Sequence, residues 1–92
     1  MSKRDKLRRK LRNNPKGRTK QEIETLLGYF GFELERVSGS HHLYTVQIRG
    51  ETYRLVVPIH GREIKPFYIK QALDLIDELF PLDTSLQDDS DE

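Results

Sequence analysis

The stretch FELERVSGSHHLYTVQIRGETYRLVVP, residues 32–58, contains three β-type segments in succession. They cover 32–37, 42–48 and 53–57, and the turn-forming sequences SGSH and RGET separate them. Short connections of this kind join neighbouring antiparallel strands, so the stretch predicts a three-stranded antiparallel meander. Pro58 closes the third strand, because proline cannot donate a hydrogen bond to a β ladder.

A helix signature lies on each side of the meander. Upstream, Thr19 and Glu22 have the spacing of a capping box, and a helix should end near Gly31. Its apolar positions at i, i+3, i+4 and i+7 are Ile23, Leu26, Leu27 and Phe30. Downstream, Pro66 suits a first helical position. The predicted buried stripe of this second helix is Phe67, Ile69, Ala72, Leu73, Ile76, Leu79 and Phe80.

The order helix, three strands, helix predicts an α+β fold with both helices on one face of the sheet. The other face stays open to a partner or substrate. Near the start of the chain, Leu7 and Leu11 have the spacing of a short helix that Asn13 and Pro15 would end. We therefore divide the chain into a basic N-terminal arm with this short helix over 1–18, a domain over 19–81 and an acidic disordered tail over 82–92.

Composition restricts the classes of function. A chain of 92 residues forms one domain, and without cysteine it has neither disulfides nor a Cys-based zinc site. Its three histidines lack the HxxxH and HxH spacings, so no metal or other cofactor is expected. The N-terminus is too charged for a signal peptide, and no apolar run reaches the about 20 residues that cross a bilayer. We expect a soluble cytoplasmic protein without membrane association.

The net charge of +1 conceals an asymmetry between the two ends of the chain. Residues 1–20 contain ten of the sixteen Lys and Arg with one opposing acid, whereas residues 81–92 contain five acids and no base. A basic arm suits phosphate backbones, whose attraction is electrostatic. The alternative is a solvated arm that pairs with the acidic tail of the same chain.

Two adjacent histidines, His41 and His42, follow Gly39 and Ser40 at the entry to the second strand. Imidazole, with an ordinary pKa near 6.5, is the usual general acid or base where no metal acts. RNA cleavage needs little more, because the ribose 2′-hydroxyl is an internal nucleophile. Gly39 would let the backbone approach a phosphate, and Ser40 would add a hydroxyl donor. The alternative is an ordinary turn that ends in histidine, and His60 is interpreted as a loop residue.

Strand alternation separates the two histidines. In a strand that is regular from His42, this residue shares a face with Tyr44 and Val46, whereas His41 shares a face with Leu43. This interpretation makes His42 a histidine at the edge of the core and leaves His41 freer. A β-bulge after Gly39 would reverse the assignment.

Arg62 and Lys65 lie just before the final helix, whose N-terminus carries a partial positive charge and unpaired amides. This arrangement suggests a position for a phosphate group. The alternative is a polar connection in which Lys65 is merely solvated.

Three longer stretches, GYFGFELERVSGSHHLYTV, VVPIHGREIKP and KPFYIKQALDLI, together resemble the HicA family of bacterial type II toxins, also grouped as YcfA-like proteins. KLRNNPKGRTKQEIETLLGYFGFELER is similar to the opening of one HicA subgroup, so the resemblance extends from about Leu7 to Phe80. It implies a double-stranded-RNA-binding-domain-like α-β-β-β-α fold. It also implies a metal-independent ribonuclease that cleaves messenger RNA and is inhibited by a HicB-type antitoxin.

The resemblance also implies which residues act. The family pattern Gly-Ser-x-His places catalysis on His42, with Gly39 and Ser40 shaping its loop and His41 in the variable position. We add three cations as RNA contacts, namely Lys65, Arg62 and Arg36. We expect a monomer when the antitoxin is absent. The rival hypotheses are a non-catalytic RNA-binding module, since RNA duplexes can be read by shape alone, and a protein-binding module that pairs its sheet with another chain.

Overall fold

The computed structural model describes residues 2–81. Within them the helices are α1 (Lys3–Asn13), α2 (Lys20–Tyr29) and α3 (Pro66–Leu79). The strands are β1 (Arg18–Thr19), β2 (Glu33–Ser38), β3 (His41–Ile48), β4 (Glu51–Pro58) and β5 (Glu63–Ile64). The predicted acidic tail over 82–92 lies outside the described residues.

The main sheet is antiparallel with the strand order β2-β3-β4, and β1 and β5 form a separate antiparallel pair. The predicted α+β class and the α-β-β-β-α order are therefore confirmed, as is the short N-terminal helix. The β1–β5 pair was not predicted. It holds the start of α2 beside the connection that leads into α3.

Two-residue turns fix the register of the meander. Gly39 has a φ of 60°, as the first central residue of a type II′ hairpin requires, and it joins β2 to β3. Arg49 and Gly50, with φ values of 54° and 83°, fit a type I′ turn between β3 and β4. Both turn types match the right-handed twist of the strands, so each hairpin closes without an extra residue.

The sheet buries one face only. Tyr44 lies opposite Leu55, and His42 lies opposite Val57, so these four side chains point to the same side. The helices cover that side, whereas the other face carries half-buried or exposed residues such as Leu43. The buried core is Leu11, Ile23, Leu26, Leu27, Phe30, Phe32, Tyr44, Val46, Leu55, Val57, Ile64, Ile69, Ala72, Leu73 and Ile76.

Helix α2 has the two ends that its sequence predicts. The Thr19 amide donates to the Glu22 carboxylate at 2.9 Å, and the Glu22 amide donates to the Thr19 hydroxyl at 3.2 Å, which completes the capping box. At the other end, Phe32 N–H bonds the Leu27 carbonyl while Gly31, at φ 89°, reverses the chain in a Schellman motif.

Helix α1 packs against α3 through a charged contact. Arg8 is only 6% exposed, and its guanidinium donates to Asp77 at 2.6 Å and to the Phe80 carbonyl at 2.8 Å. Arg12 pairs with Asp74 at 3.1 Å and with the second carboxylate oxygen of Asp77. Together with the fully buried Leu11, these contacts attach α1 to the domain. Two of the arginines in the basic arm are thus paired with α3.

One residue of the predicted helical stripe is exposed, and its last two members, Leu79 and Phe80, are half-buried against the core. Phe67 is 66% exposed, so its prediction as a core residue was wrong. Each helical residue turns by about 100°, which places Phe67 about 160° away from Ile69 around the helix. The stripe of α3 begins only at Ile69, and Phe67 projects from the opposite side.

Candidate active site

The strand that carries the two histidines is regular from its first residue. His41 pairs with Ser38 and Pro58, and His42 pairs with Val37 and Val57. The irregularity in the sheet lies instead in β2, where the register shifts between Leu34 and Arg36. The two imidazoles therefore lie on opposite faces, as strand alternation predicts. His42 is on the helix-covered face and His41 on the open one.

The ring of His42 is held by the backbone. Its Nδ1 lies 3.1 Å from the carbonyl oxygen of Ser40, which also accepts the Ile59 amide at 2.8 Å. Because a carbonyl oxygen only accepts, this contact is a hydrogen bond in the tautomer that carries its proton on Nδ1. Nε2 has no hydrogen-bond partner within residues 2–81 and is not buried. In the neutral ring, Nε2 thus offers a lone pair to an incoming group.

A buried tyrosine lies next to this ring on the same face of β3. The rings of His42 and Tyr44 are nearly parallel, with their centres 6.5 Å apart. Tyr44 is 2% exposed, and its hydroxyl donates to the Glu24 carboxylate at 2.7 Å. Burial, and then this hydrogen bond and the charge of Glu24, raise the pKa of Tyr44, so that its phenol stays neutral. Glu24 was missed from the sequence, where no pattern links it to a tyrosine 20 residues away.

The structure gives Gly39 and Ser40, the loop residues before His42, clear local roles. A Cβ on Gly39 would meet no atom within 4 Å, so its positive φ is the structural reason for glycine. Ser40 acts through its backbone carbonyl in the two contacts described above, and no side-chain hydrogen bond of its hydroxyl is found in the described part of the chain. His41 is exposed on the open face.

The connection from β4 to α3 starts beside the histidine hairpin, because the Ile59 amide bonds Ser40. It carries two of the predicted cations, Arg62 and Lys65, and both are exposed. Neither forms an ion pair with any residue from 2 to 81. His60 lies exposed in the same connection. These two cations are therefore joined to the His42 hairpin by a short segment.

The N-terminus of α3 offers fewer amides than a helix start usually does. Lys65 is the N-cap residue and makes no side-chain cap bond, and Pro66 has no N–H. The amides of Tyr68 and Ile69 donate to the Lys65 carbonyl at 2.9 and 3.3 Å. This leaves the Phe67 amide as the free donor of the first turn among the described residues. The same residue exposes its ring.

Arg36 is separate from this group. It lies opposite Leu43, so its side chain points to the open face together with His41 and away from His42. The β2 irregularity between Leu34 and Arg36 decides this side, because it shifts every later residue of the strand by one position. The predicted site residues thus divide between the two faces of the sheet.

The described residues contain no group of three or more His, Asp or Glu residues arranged to hold a metal ion. In the same part of the chain, no helix has the length and apolar character to span a bilayer.

A family model described as HicA toxin of bacterial toxin-antitoxin matches residues 21–77. The match contains the histidine hairpin, the β4–α3 connection and most of α2 and α3, and it leaves out α1. No curated protein and no solved structure matches the chain. Because the matched residues make up more than half of the sequence, this protein belongs to the HicA family of bacterial toxins.

Proposed function

We propose that this protein is a metal-independent endoribonuclease that cleaves messenger RNA, with His42 as its single catalytic histidine. Family membership supports a toxin of a toxin–antitoxin system. The observation that carries the catalytic assignment is the hydrogen bond from His42 Nδ1 to the Ser40 carbonyl. It fixes the ring and leaves Nε2 as a base, whereas no hydrogen bond orients the exposed His41 within residues 2–81.

In the proposed reaction, Nε2 of His42 removes the proton of a ribose 2′-hydroxyl. The resulting oxygen attacks the adjacent phosphorus, the bond from phosphorus to the 5′ oxygen breaks, and that oxygen takes a proton from solvent. The products are a 2′,3′-cyclic phosphate and a 5′-hydroxyl end. The Nδ1–H bond to Ser40 stabilises the imidazolium that forms, because a carbonyl dipole favours a positively charged donor.

The phosphate needs positive partners while negative charge develops on it. We assign this role to Lys65 and Arg62, which lie on the connection whose first residue, Ile59, bonds Ser40, and to the free amide of Phe67. Gly39 and Ser40 shape the loop, and His41 contacts RNA from the open face. Arg36 on that face contacts flanking RNA and takes no part in the chemistry.

We further propose a HicB-type antitoxin as the protein partner and the cytoplasm, where messenger RNA is translated, as the location. Family membership supports an antitoxin partner.

The test compares induced expression of the wild type, His41→Ala and His42→Ala, with growth and RNA integrity measured together. We expect only His42→Ala to lose toxicity. The purified wild type should cleave RNA in the presence of EDTA, and the products should carry cyclic phosphate ends.

Several outcomes would count against the proposal. If His42→Ala were as toxic as the wild type while His41→Ala were harmless, the site assignment would be wrong and the ribonuclease class would survive. Protein that binds RNA and leaves it intact would favour an RNA-binding module. Protein that binds no RNA at moderate salt but captures a small protein would favour a protein-binding module.

A further inference from the structure

The outward side of α1 is a continuous basic surface. We define the α1 basic face as Lys3, Lys6, Arg9 and Lys10, all of which are exposed. None of them forms an ion pair with another residue of the described range 2–81. The three lysines recur at i, i+3 and i+7, so they lie along one side of the helix.

The docking contacts use a different set of side chains. Arg8, Arg12 and Leu11 point toward α3, where the arginines pair with Asp77 and Asp74. Asp5, the acid of α1, is half-buried and lies 3.8 Å from Arg4. The helix α1 is therefore attached to α3 through one side, and the side that faces solvent carries basic residues without an acidic neighbour among them.

The character of this face favours one kind of ligand. The apolar residues of α1, Leu7 and Leu11, pack against the core, so the outer side offers charge without an apolar centre. A protein interface or a membrane-bound helix normally includes exposed apolar side chains. A nucleic-acid backbone needs only cations, because its binding is dominated by phosphate neutralisation.

We propose that the α1 basic face binds the phosphate backbone of RNA and forms a second contact area apart from the His42 site. The identity of the polyanion rests on the proposed function. The contacts are independent of sequence, and they raise the affinity for RNA without taking part in cleavage. Because α1 lies outside the family match at residues 21–77, this contact area is an addition to the matched domain.

The test uses full-length protein carrying His42→Ala, so that a labelled single-stranded RNA stays intact. Its affinity is compared with that of the same protein carrying Lys6→Gln and Lys10→Gln, by fluorescence anisotropy over a series of KCl concentrations. The control, Arg49→Asn, removes one positive charge from the hairpin between β3 and β4, and it is compared with Lys6→Gln alone, which removes one charge from α1. Asparagine suits the positive φ of residue 49. Thermal unfolding verifies that each variant is folded.

We expect the Lys6→Gln, Lys10→Gln pair to weaken RNA binding about tenfold. The plot of log affinity against log salt should become less steep by about 1.4, because each lost phosphate contact removes about 0.7 from the magnitude of its slope. Arg49→Asn should change affinity by less than twofold, whereas Lys6→Gln alone should weaken binding and reduce the magnitude of the slope by about 0.7. An unchanged affinity for the α1 pair, or a loss in Arg49→Asn equal to that in Lys6→Gln, would overturn the inference.

Failure of this inference is distinguishable from failure of the proposed function. If the wild type cleaves RNA and the α1 pair binds it normally, the ribonuclease assignment stands and the α1 contact does not. If the wild type leaves RNA intact while the α1 pair binds it less well, the α1 contact stands and the catalytic proposal is wrong.

Discussion

His42 Nδ1 and the Ile59 amide share one acceptor, the carbonyl oxygen of Ser40, at 3.1 and 2.8 Å. This oxygen links the second residue of β3 to the first residue after β4. The Ser40 carbonyl therefore holds the imidazole of His42 and also Ile59, the first residue of the connection that carries Arg62 and Lys65. One backbone group thus holds the histidine ring and the first residue of the segment that leads to the proposed phosphate contacts.

The hydrogen bond to Ser40 predicts which nitrogen of His42 carries the proton. Because Nδ1 donates to a carbonyl, the neutral ring should be protonated on Nδ1 and bare on Nε2. Long-range proton–nitrogen NMR spectra at high pH measure this directly. The exposed His41 is the internal comparison, since no backbone acceptor selects its tautomer within residues 2–81. A proton on Nε2 of His42 would contradict the proposed role as base.

His42→Ala should lose RNA cleavage while the protein stays folded. The residue is half-buried on the helix-covered face and makes one hydrogen bond, so we expect a loss of about 1 kcal/mol in the free energy of unfolding. His41→Ala, an exposed change on the same strand, should cost less than about 0.5 kcal/mol. Urea denaturation measures both values. A loss several times larger for His42→Ala would indicate that the residue is mainly a core histidine.

The attachment of α1 depends on Arg8 more than on Arg12. Arg8 is buried and bonds both Asp77 and the Phe80 carbonyl, whereas Arg12 is exposed and pairs with the same carboxylate. Arg8→Ala should lower the free energy of unfolding by about 2 kcal/mol, because it also leaves a carbonyl without its donor. Arg12→Ala should cost at most about 1 kcal/mol. If urea denaturation gave equal losses of unfolding free energy for Arg8→Ala and Arg12→Ala, the burial of Arg8 would not make its ion pair the stronger one.

Stability should fall at high pH because of Tyr44. Its pKa is raised in the folded protein by burial and by Glu24, so the folded state keeps the phenolic proton at a pH where the unfolded chain has lost it. The contribution of Tyr44 to the free energy of unfolding is complete below the tyrosine pKa of the unfolded chain, which is near 10. It is lost as the pH rises from there through the pKa of the folded state. We expect a decrease of up to about 1.4 kcal/mol per pH unit in that window.

Tyr44→Phe should reduce this slope and cost about 1.5 kcal/mol at neutral pH, since it removes a hydrogen bond to a carboxylate. Tyr53→Phe is the comparison: a hydrogen bond to Glu51 also raises the pKa of Tyr53, but in an exposed position, so this variant should reduce the slope less than Tyr44→Phe. Denaturation curves between neutral and alkaline pH test both variants. The same slope in Tyr44→Phe and in the wild type would refute the assignment.

Phe67→Ala should weaken RNA binding without destabilising the fold. An exposed aromatic ring beside proposed phosphate contacts suits base stacking, which contributes about 1–3 kcal/mol per base. Tyr29→Ala removes another exposed aromatic ring, from the far end of α2, and should leave RNA affinity unchanged. Anisotropy titrations compare the two. A matching loss in Tyr29→Ala, or none in Phe67→Ala, would remove Phe67 from the site.

Local sequence alone determined much of this protein. The capping box of Thr19 and Glu22, the left-handed Gly31 and the alternation in β3 each act within a few residues, so helix and strand positions follow from propensity and periodicity. The same alternation assigned His41 and His42 to opposite faces. Family resemblance, and not periodicity, selected His42 as the catalytic candidate.

Tertiary structure decided the contacts between distant parts of the chain. Arg8 and Asp77 are 69 positions apart, and Tyr44 and Glu24 are 20 apart, so no local pattern links them. The β2 irregularity that turns Arg36 to the open face is likewise invisible in the sequence. Sequence periodicity specifies which side of an element is apolar. Only packing specifies which charged group meets which partner, because that choice depends on how helices and strands lie against each other.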